Sequence, residues 1–119
     1  MNQQSLPSKT VFDIQGTLTR LGGDEQLLSD MIGFFVKDGP NLMADLRTAI
    51  EAHDSSAAKN AAHELKGLIL GCGGVRAAQV AQRVEDAATA GDVDDATRLV
   101  VALTREVAIL VEATIAYRT

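Results

Sequence analysis

The sequence predicts an all-α chain, a bundle of antiparallel amphipathic helices, and three observations carry that expectation. Apolar residues make up 46 % of the 119 positions, yet there are only three Phe, one Tyr and no Trp. A core must therefore be built from Ala, Leu, Val and Ile, side chains that suit close-packed helices. Only two prolines occur, Pro7 and Pro40, and the alternating β-branched runs that build strands are absent. Apolar residues recur instead near every 3.6 positions, in segments divided by short breaks rich in Gly and Asp. The length matches one domain, expected over 11–119 after a polar tail at 1–10.

Each segment has start and stop signals. Asp13 can cap a short first helix, over about 13–21, that Gly22 and Gly23 end. Asp24 caps a second, with Glu25 placing negative charge at the positive end of the helix dipole. This segment runs over about 24–52, with an inner stripe expected at Leu27, Leu28, Met31, Phe34, Phe35, Leu42, Leu46 and Ile50. Pro40 falls inside it. Proline removes one helical hydrogen bond and crowds the preceding turn, so a kink is expected, with two helices meeting at Pro40 as the alternative. Asp54 or Ser55 caps a third helix that stops in Gly71-Cys72-Gly73-Gly74. A fourth covers about 75–90, with Ala77, Val80, Ala81, Val84 and Ala88 inward, and Gly91 ends it. Asp92 caps a fifth that reaches about Tyr117, with Ala96, Leu99, Val100, Leu103, Val107, Leu110 and Thr114 inward. Short connections between long amphipathic helices favour antiparallel neighbours.

Composition narrows the function. The net charge is −5 and the sequence pI about 4.8. With no basic cluster, such a domain is a poor ligand for nucleic acid or an anionic membrane. No apolar stretch approaches the roughly 20 residues of a membrane span, and the polar stretch 1–9 lacks the apolar region of a signal peptide. Cys72 is the sole cysteine, so no internal disulfide can form, which fits a reducing cytoplasm.

The third helix carries the chemistry. On a wheel of 100° per residue, with His63 at zero, Ser56, Lys59, Asn60, Lys66, Gly67 and Leu70 fall within about 60° of it. Ala58, Ala61, Leu65, Leu68, Ile69 and Cys72 lie more than about 100° away and form the core face. His63 thus points outward among polar and small residues. A lone surface histidine is usually no more than solvated, but its neighbours argue for a purpose. Gly67 sits one turn on, in a helix interior where glycine costs about 1 kcal/mol relative to Ala; it can clear space beside the ring. Lys66 shares the face and can reach a group attached to the imidazole. A histidine, a cation and a cleared surface suit an anion held on the ring. Phosphorylation is the chemistry this suggests, because neutral imidazole is a nucleophile near pH 7.

At this point the sequence resembles the histidine-containing phosphotransfer (HPt) domains of two-component phosphorelays. Ala62-His63-Glu64-Leu65-Lys66-Gly67 matches the A-H-x-L-K-G motif of that family. Phe12-Asp13, Leu21-Gly22-Gly23-Asp24-Glu25, Phe35, Pro40, Leu46-Arg47-Thr48-Ala49-Ile50, Gly73 and Val84-Glu85-Asp86-Ala87-Ala88 follow at family-like spacing, so the resemblance covers about 12–112. It implies an up-and-down antiparallel four-helix bundle with a short extra N-terminal helix. It implies that His63 is phosphorylated, on Nε2, by a response-regulator receiver aspartate and passes the group to another receiver. Lys66 would neutralise phosphoryl oxygens, and Gly67 would give clearance. Glu85, 22 positions after the histidine, would hold the other ring nitrogen. Receiver domains or a hybrid sensor histidine kinase are the partners implied, with Mg²⁺ on the receiver and no cofactor on this chain. The domain would be a monomeric phosphocarrier without a kinase site of its own.

Some residues depart from the pattern. Leu68-Ile69-Leu70 stands where small residues are usual, and Leu70 remains on the His63 face as a candidate apolar contact for a receiver. Gly71 replaces a frequent polar residue. Elsewhere, His53 near a helix C-terminus needs no role beyond a favourable dipole interaction. His63-Glu64 is half of a zinc-protease H-E-x-x-H motif, but position 67 is Gly. Cys72 reads as a small core residue. The alternative from another class is a helical adaptor that binds a receiver or kinase without carrying phosphate; an intact His63, Lys66 and Gly67 set argues against it.

Overall fold

Five helices make up the computed structural model, which describes residues 9–118. They are α1 (Ile14–Arg20), α2 (Glu25–Glu51), α3 (Ser55–Gly71), α4 (Val75–Thr89) and α5 (Val93–Arg118), with no strand among the described residues. Helices α2 to α5 each pack on their sequence neighbour, and α5 closes the ring against α2. This is a four-helix bundle with a short additional helix before it. Of the expected tail, only Lys9 and Thr10 fall within the described residues. No described helix is long and apolar enough to cross a membrane.

Aspartates start the helices by satisfying backbone N–H groups that lack an intrahelical partner. Asp13 accepts from the Gly16 N–H, Asp24 from Leu27, Asp54 from Ala57 and Asp92 from Asp95. At the α3 start Asp54, not Ser55, is the cap. Helix α4 begins at Gly74 with no side-chain cap.

Pro40 does not divide α2, which is one 27-residue helix. Pro40 lies at an exposed position of that helix, off its buried stripe. The inner stripe of α2 differs from expectation. Leu28, Ile32, Phe35, Gly39, Met43, Leu46, Ala49 and Ile50 are buried. Leu27 and Phe34 are 39 % and 54 % exposed, and Met31 and Leu42 are half-buried. Each misplaced residue has an apolar neighbour one position on, and the buried set follows steps of three and four more evenly than the expected one.

Small side chains dominate the buried faces of α3 and α4: Ala58, Ala61 and Ala62 on the first, Ala77, Ala78, Ala81, Ala87 and Ala88 on the second. They let two helices approach closely, so polar side chains on the outer rims can meet. Val80, Leu68 and Leu99, expected inward, are half-buried.

Helix α1 is fastened to the turn between α3 and α4. The Asp13 N–H donates to the Gly73 carbonyl at 2.8 Å and the Arg76 N–H to the Thr10 carbonyl at 2.9 Å. The Arg20 guanidinium donates to the Leu70 carbonyl at 3.0 Å, capping the end of α3. Gly73 is required here twice over. Its φ of +90°, and the Asp13 carbonyl oxygen 2.9 Å from where a Cβ would stand, both exclude a side chain.

Candidate phosphorylation site

His63 lies mid-way along α3 with its side chain 66 % exposed. Its Nδ1 is 3.2 Å from Glu85 Oε2 and 3.4 Å from Oε1. An ionised carboxylate only accepts, so this contact puts the ring proton on Nδ1. The neutral tautomer that fits this contact carries its lone pair on Nε2. Glu85 reaches His63 from α4, where its side chain is only 13 % exposed.

Lys66 is three residues beyond His63 on the same face of α3. Its Nζ is 3.3 Å from Glu85 Oε1 and donates to Gln82 Oε1 at 2.6 Å. Gln82 in turn donates from Nε2 to Asp86 Oδ1 at 2.8 Å. Glu85 thus joins the two residues: the imidazole lies nearer Oε2, and the ammonium sits on Oε1. The result is a chain of hydrogen bonds and one ion pair from Asp86 through Gln82, Lys66 and Glu85 to His63, across the α3–α4 seam.

Gly67 leaves open space: a Cβ placed on it would meet nothing within 4 Å. It lies where two shallow surface grooves meet. One runs towards Asp38, Asn41 and Leu42 of α2, the other towards Thr17 and Arg20 of α1 and Leu70 of α3. Leu70 is 47 % exposed. The structure therefore gathers His63, Lys66, Gly67 and Glu85 at one surface, with Leu70 at its edge.

Two other polar residues of the sequence lie elsewhere. His53 follows the end of α2 in a left-handed conformation, φ 57°, with its N–H on the Ile50 carbonyl at 3.0 Å. Cys72 is fully buried, its Sγ 3.4 Å from the Ile69 carbonyl, and burial pushes its thiol up to about 11.

Sequence reasoning missed Gln82 and Arg20. Gln82 precedes Glu85 by three residues and Asp86 by four, which puts all three on one face of α4; that spacing was the available signal. Arg20 carries no local signal, because its partner is a carbonyl 50 residues away.

The Hpt domain family matches residues 30–113. No curated protein sequence matches the chain. Among solved structures, the crystal structure of histidine-containing phosphotransfer protein B from Pseudomonas aeruginosa superposes with a TM-score of 0.83 at 24 % sequence identity, covering 92 % of this chain and 96 % of that one. The likeness extends the shared fold beyond the matched segment to nearly the whole chain. The family match spans most of the sequence, including His63, Lys66, Gly67 and Glu85, and the chain belongs to the Hpt domain family.

Proposed function

We propose that this protein is a histidine phosphocarrier, in which His63 Nε2 accepts a phosphoryl group from a receiver aspartate and passes it to a second receiver. The observation that carries the reading is the His63–Glu85 contact, which occupies Nδ1 of an exposed imidazole and leaves Nε2 to act as the nucleophile. Membership of the Hpt domain family supports the coarser statement, histidine phosphotransfer within a phosphorelay.

In the accepting step the Nε2 lone pair attacks phosphorus. The bond from phosphorus to the receiver's aspartyl oxygen breaks, and its electron pair leaves on the restored carboxylate. Nδ1 keeps its proton, so the ring acquires positive charge against the Glu85 carboxylate. Lys66 is placed on the same face to meet the phosphoryl oxygens; an ammonium about 4 Å from one such charge gains roughly 1 to 4 kcal/mol, depending on screening. Gly67 gives the receiver backbone room to approach. Delivery is the reverse reaction with a second aspartate. The Mg²⁺ belongs to the receiver in this reading, the domain acts as a cytoplasmic monomer, and it has no kinase activity of its own.

The test is incubation with a phosphorylated receiver and Mg²⁺. Label that is acid-labile and base-stable on the wild type, and absent from His63→Gln, is the expected result. A wild type that stays unlabelled by several cognate receivers while still binding them would replace the carrier with the adaptor.

A further inference from the structure

We propose that Gln82 is a positioning residue for the phosphorylation site: its side-chain amide sets where the Lys66 ammonium rests. The inference rests on the phosphocarrier reading only for its kinetic consequence. The placement of Lys66 can be measured without any transfer.

A lysine side chain has four rotatable carbon bonds and loses much freedom when its end is fixed. Lys66 is nevertheless held at two points, and the shorter contact is to the Gln82 amide at 2.6 Å, not to the Glu85 carboxylate at 3.3 Å. The amide cannot turn round at no cost. Its Nε2 donates to Asp86 Oδ1 at 2.8 Å, so its oxygen must face Lys66. Asp86 thereby fixes Gln82, and Gln82 fixes Lys66.

The chemistry of the acceptor matters as well as its place. Glu85 already faces the His63 Nδ1–H, with Oε2 the nearer oxygen at 3.2 Å and Oε1 at 3.4 Å. Were it the sole anchor for Lys66, the ammonium would be free to slide to both carboxylate oxygens and compete with the imidazole. Gln82 keeps the cation on the Oε1 side. It is also neutral, so it adds no negative charge beside an arriving phosphoryl group, whereas a second carboxylate would repel that group.

The test uses the intact chain with four variants: Gln82→Met, which keeps the length but removes both polar atoms; Gln82→Glu, which keeps an acceptor for Lys66 while losing the donor to Asp86; Lys66→Met; and Gln82→Met combined with Lys66→Met. Phosphoramidate serves as a small chemical donor to histidine beside a phosphorylated receiver. The ¹⁵Nζ resonance of Lys66, visible when a hydrogen bond slows exchange of the ammonium protons, reports its placement. That signal should weaken and move in Gln82→Met, where Glu85 is left as the sole partner of the ammonium, and persist in Gln82→Glu. Labelling of His63 should slow by roughly fivefold in Gln82→Met. Combining Gln82→Met with Lys66→Met should slow it no further than Lys66→Met alone, since the glutamine acts through the lysine. A Lys66 signal unchanged in Gln82→Met overturns the proposal, as do effects that multiply in the double variant. Failure of every receiver to label the wild type would instead strike the phosphocarrier reading, leaving the resonance measurement to decide the role of Gln82.

Discussion

At the scale of single residues, Gly67 offers the cleanest separation between stability and function. A Cβ there meets no atom of the chain within 4 Å, and a helix-interior glycine costs about 1 kcal/mol relative to Ala. Gly67→Ala should therefore raise stability in urea melts by up to about 1 kcal/mol, and slow transfer from a receiver because the new methyl meets the partner. Unchanged transfer would remove the clearance role. Cys72 makes a second residue-scale prediction. With the thiol raised by burial to about 11 in the folded state, against 9.0 without burial, the stability it contributes is fully present below pH 9 and is lost as pH rises towards 11. That loss amounts to about 3 kcal/mol at most. Urea melts at pH 8 and 10.5 should diverge more for the wild type than for Cys72→Ala; equal divergence would refute the buried, raised thiol. His63, Lys66 and Gly67 were legible in the sequence because one helix sets their mutual placement, and the 100° rule alone turns them to a common face. Glu85 was not readable in that way. Its approach to His63 depends on the register of α4 against α3, which no local periodicity encodes, so only the family resemblance pointed to it. Gln82, on the same foreign helix, shows locally only its spacing to Glu85 and Asp86; that it meets Lys66 depends on the same register.

At the scale of elements, capping and close packing decide how the site is held. The end of α2 is turned by His53, a non-glycine residue at φ 57°, with the Asp54 N–H returning to the Ala49 carbonyl at 2.9 Å. Left-handed backbone costs an L-residue roughly 1 to 2 kcal/mol, part of which glycine recovers. His53→Gly should therefore stabilise the chain by about 0.5 to 1 kcal/mol in denaturant melts; destabilisation would mean the imidazole has a structural role of its own. The start of α4 behaves oppositely. A Cβ on Gly74 would strike the Leu110 side chain and come within 2.8 Å of Ile69 Cγ2, both in the core. Gly74→Ala should cost about 1 to 3 kcal/mol by overpacking, visible as a lower midpoint with the transition still cooperative. The helices and their caps were legible because Asp and Gly announce ends by local chemistry. The facing of α2 was less so. Paired apolar residues such as Leu27-Leu28 and Phe34-Phe35 offer two adjacent stripes, and only the packing of α3 and α5 selects Leu28, Ile32 and Phe35 as the buried one.

At the scale of the whole molecule, the proposed division of labour between two proteins makes a test that neither residue nor element can supply. The chain has a net charge of −5, and its contribution at the reacting surface is a nucleophile, one ammonium and a cleared approach. On this reading the acidic aspartate and the Mg²⁺ that offsets its charge lie entirely on the partner. Labelling by phosphoramidate, which needs no receiver, should then proceed equally with Mg²⁺ or with EDTA, and the melting temperature of the chain alone should not move between the two. Transfer from a phosphorylated receiver should stop in EDTA and return when Mg²⁺ is restored in excess. The two donors must be run on one preparation, so that a dead sample is not mistaken for a metal requirement. A melting temperature that rises with Mg²⁺, or phosphoramidate labelling that needs it, would place a metal on this chain. The assignment of metal and nucleophile to separate molecules would then have to be abandoned, even with His63 still the phosphorylated residue.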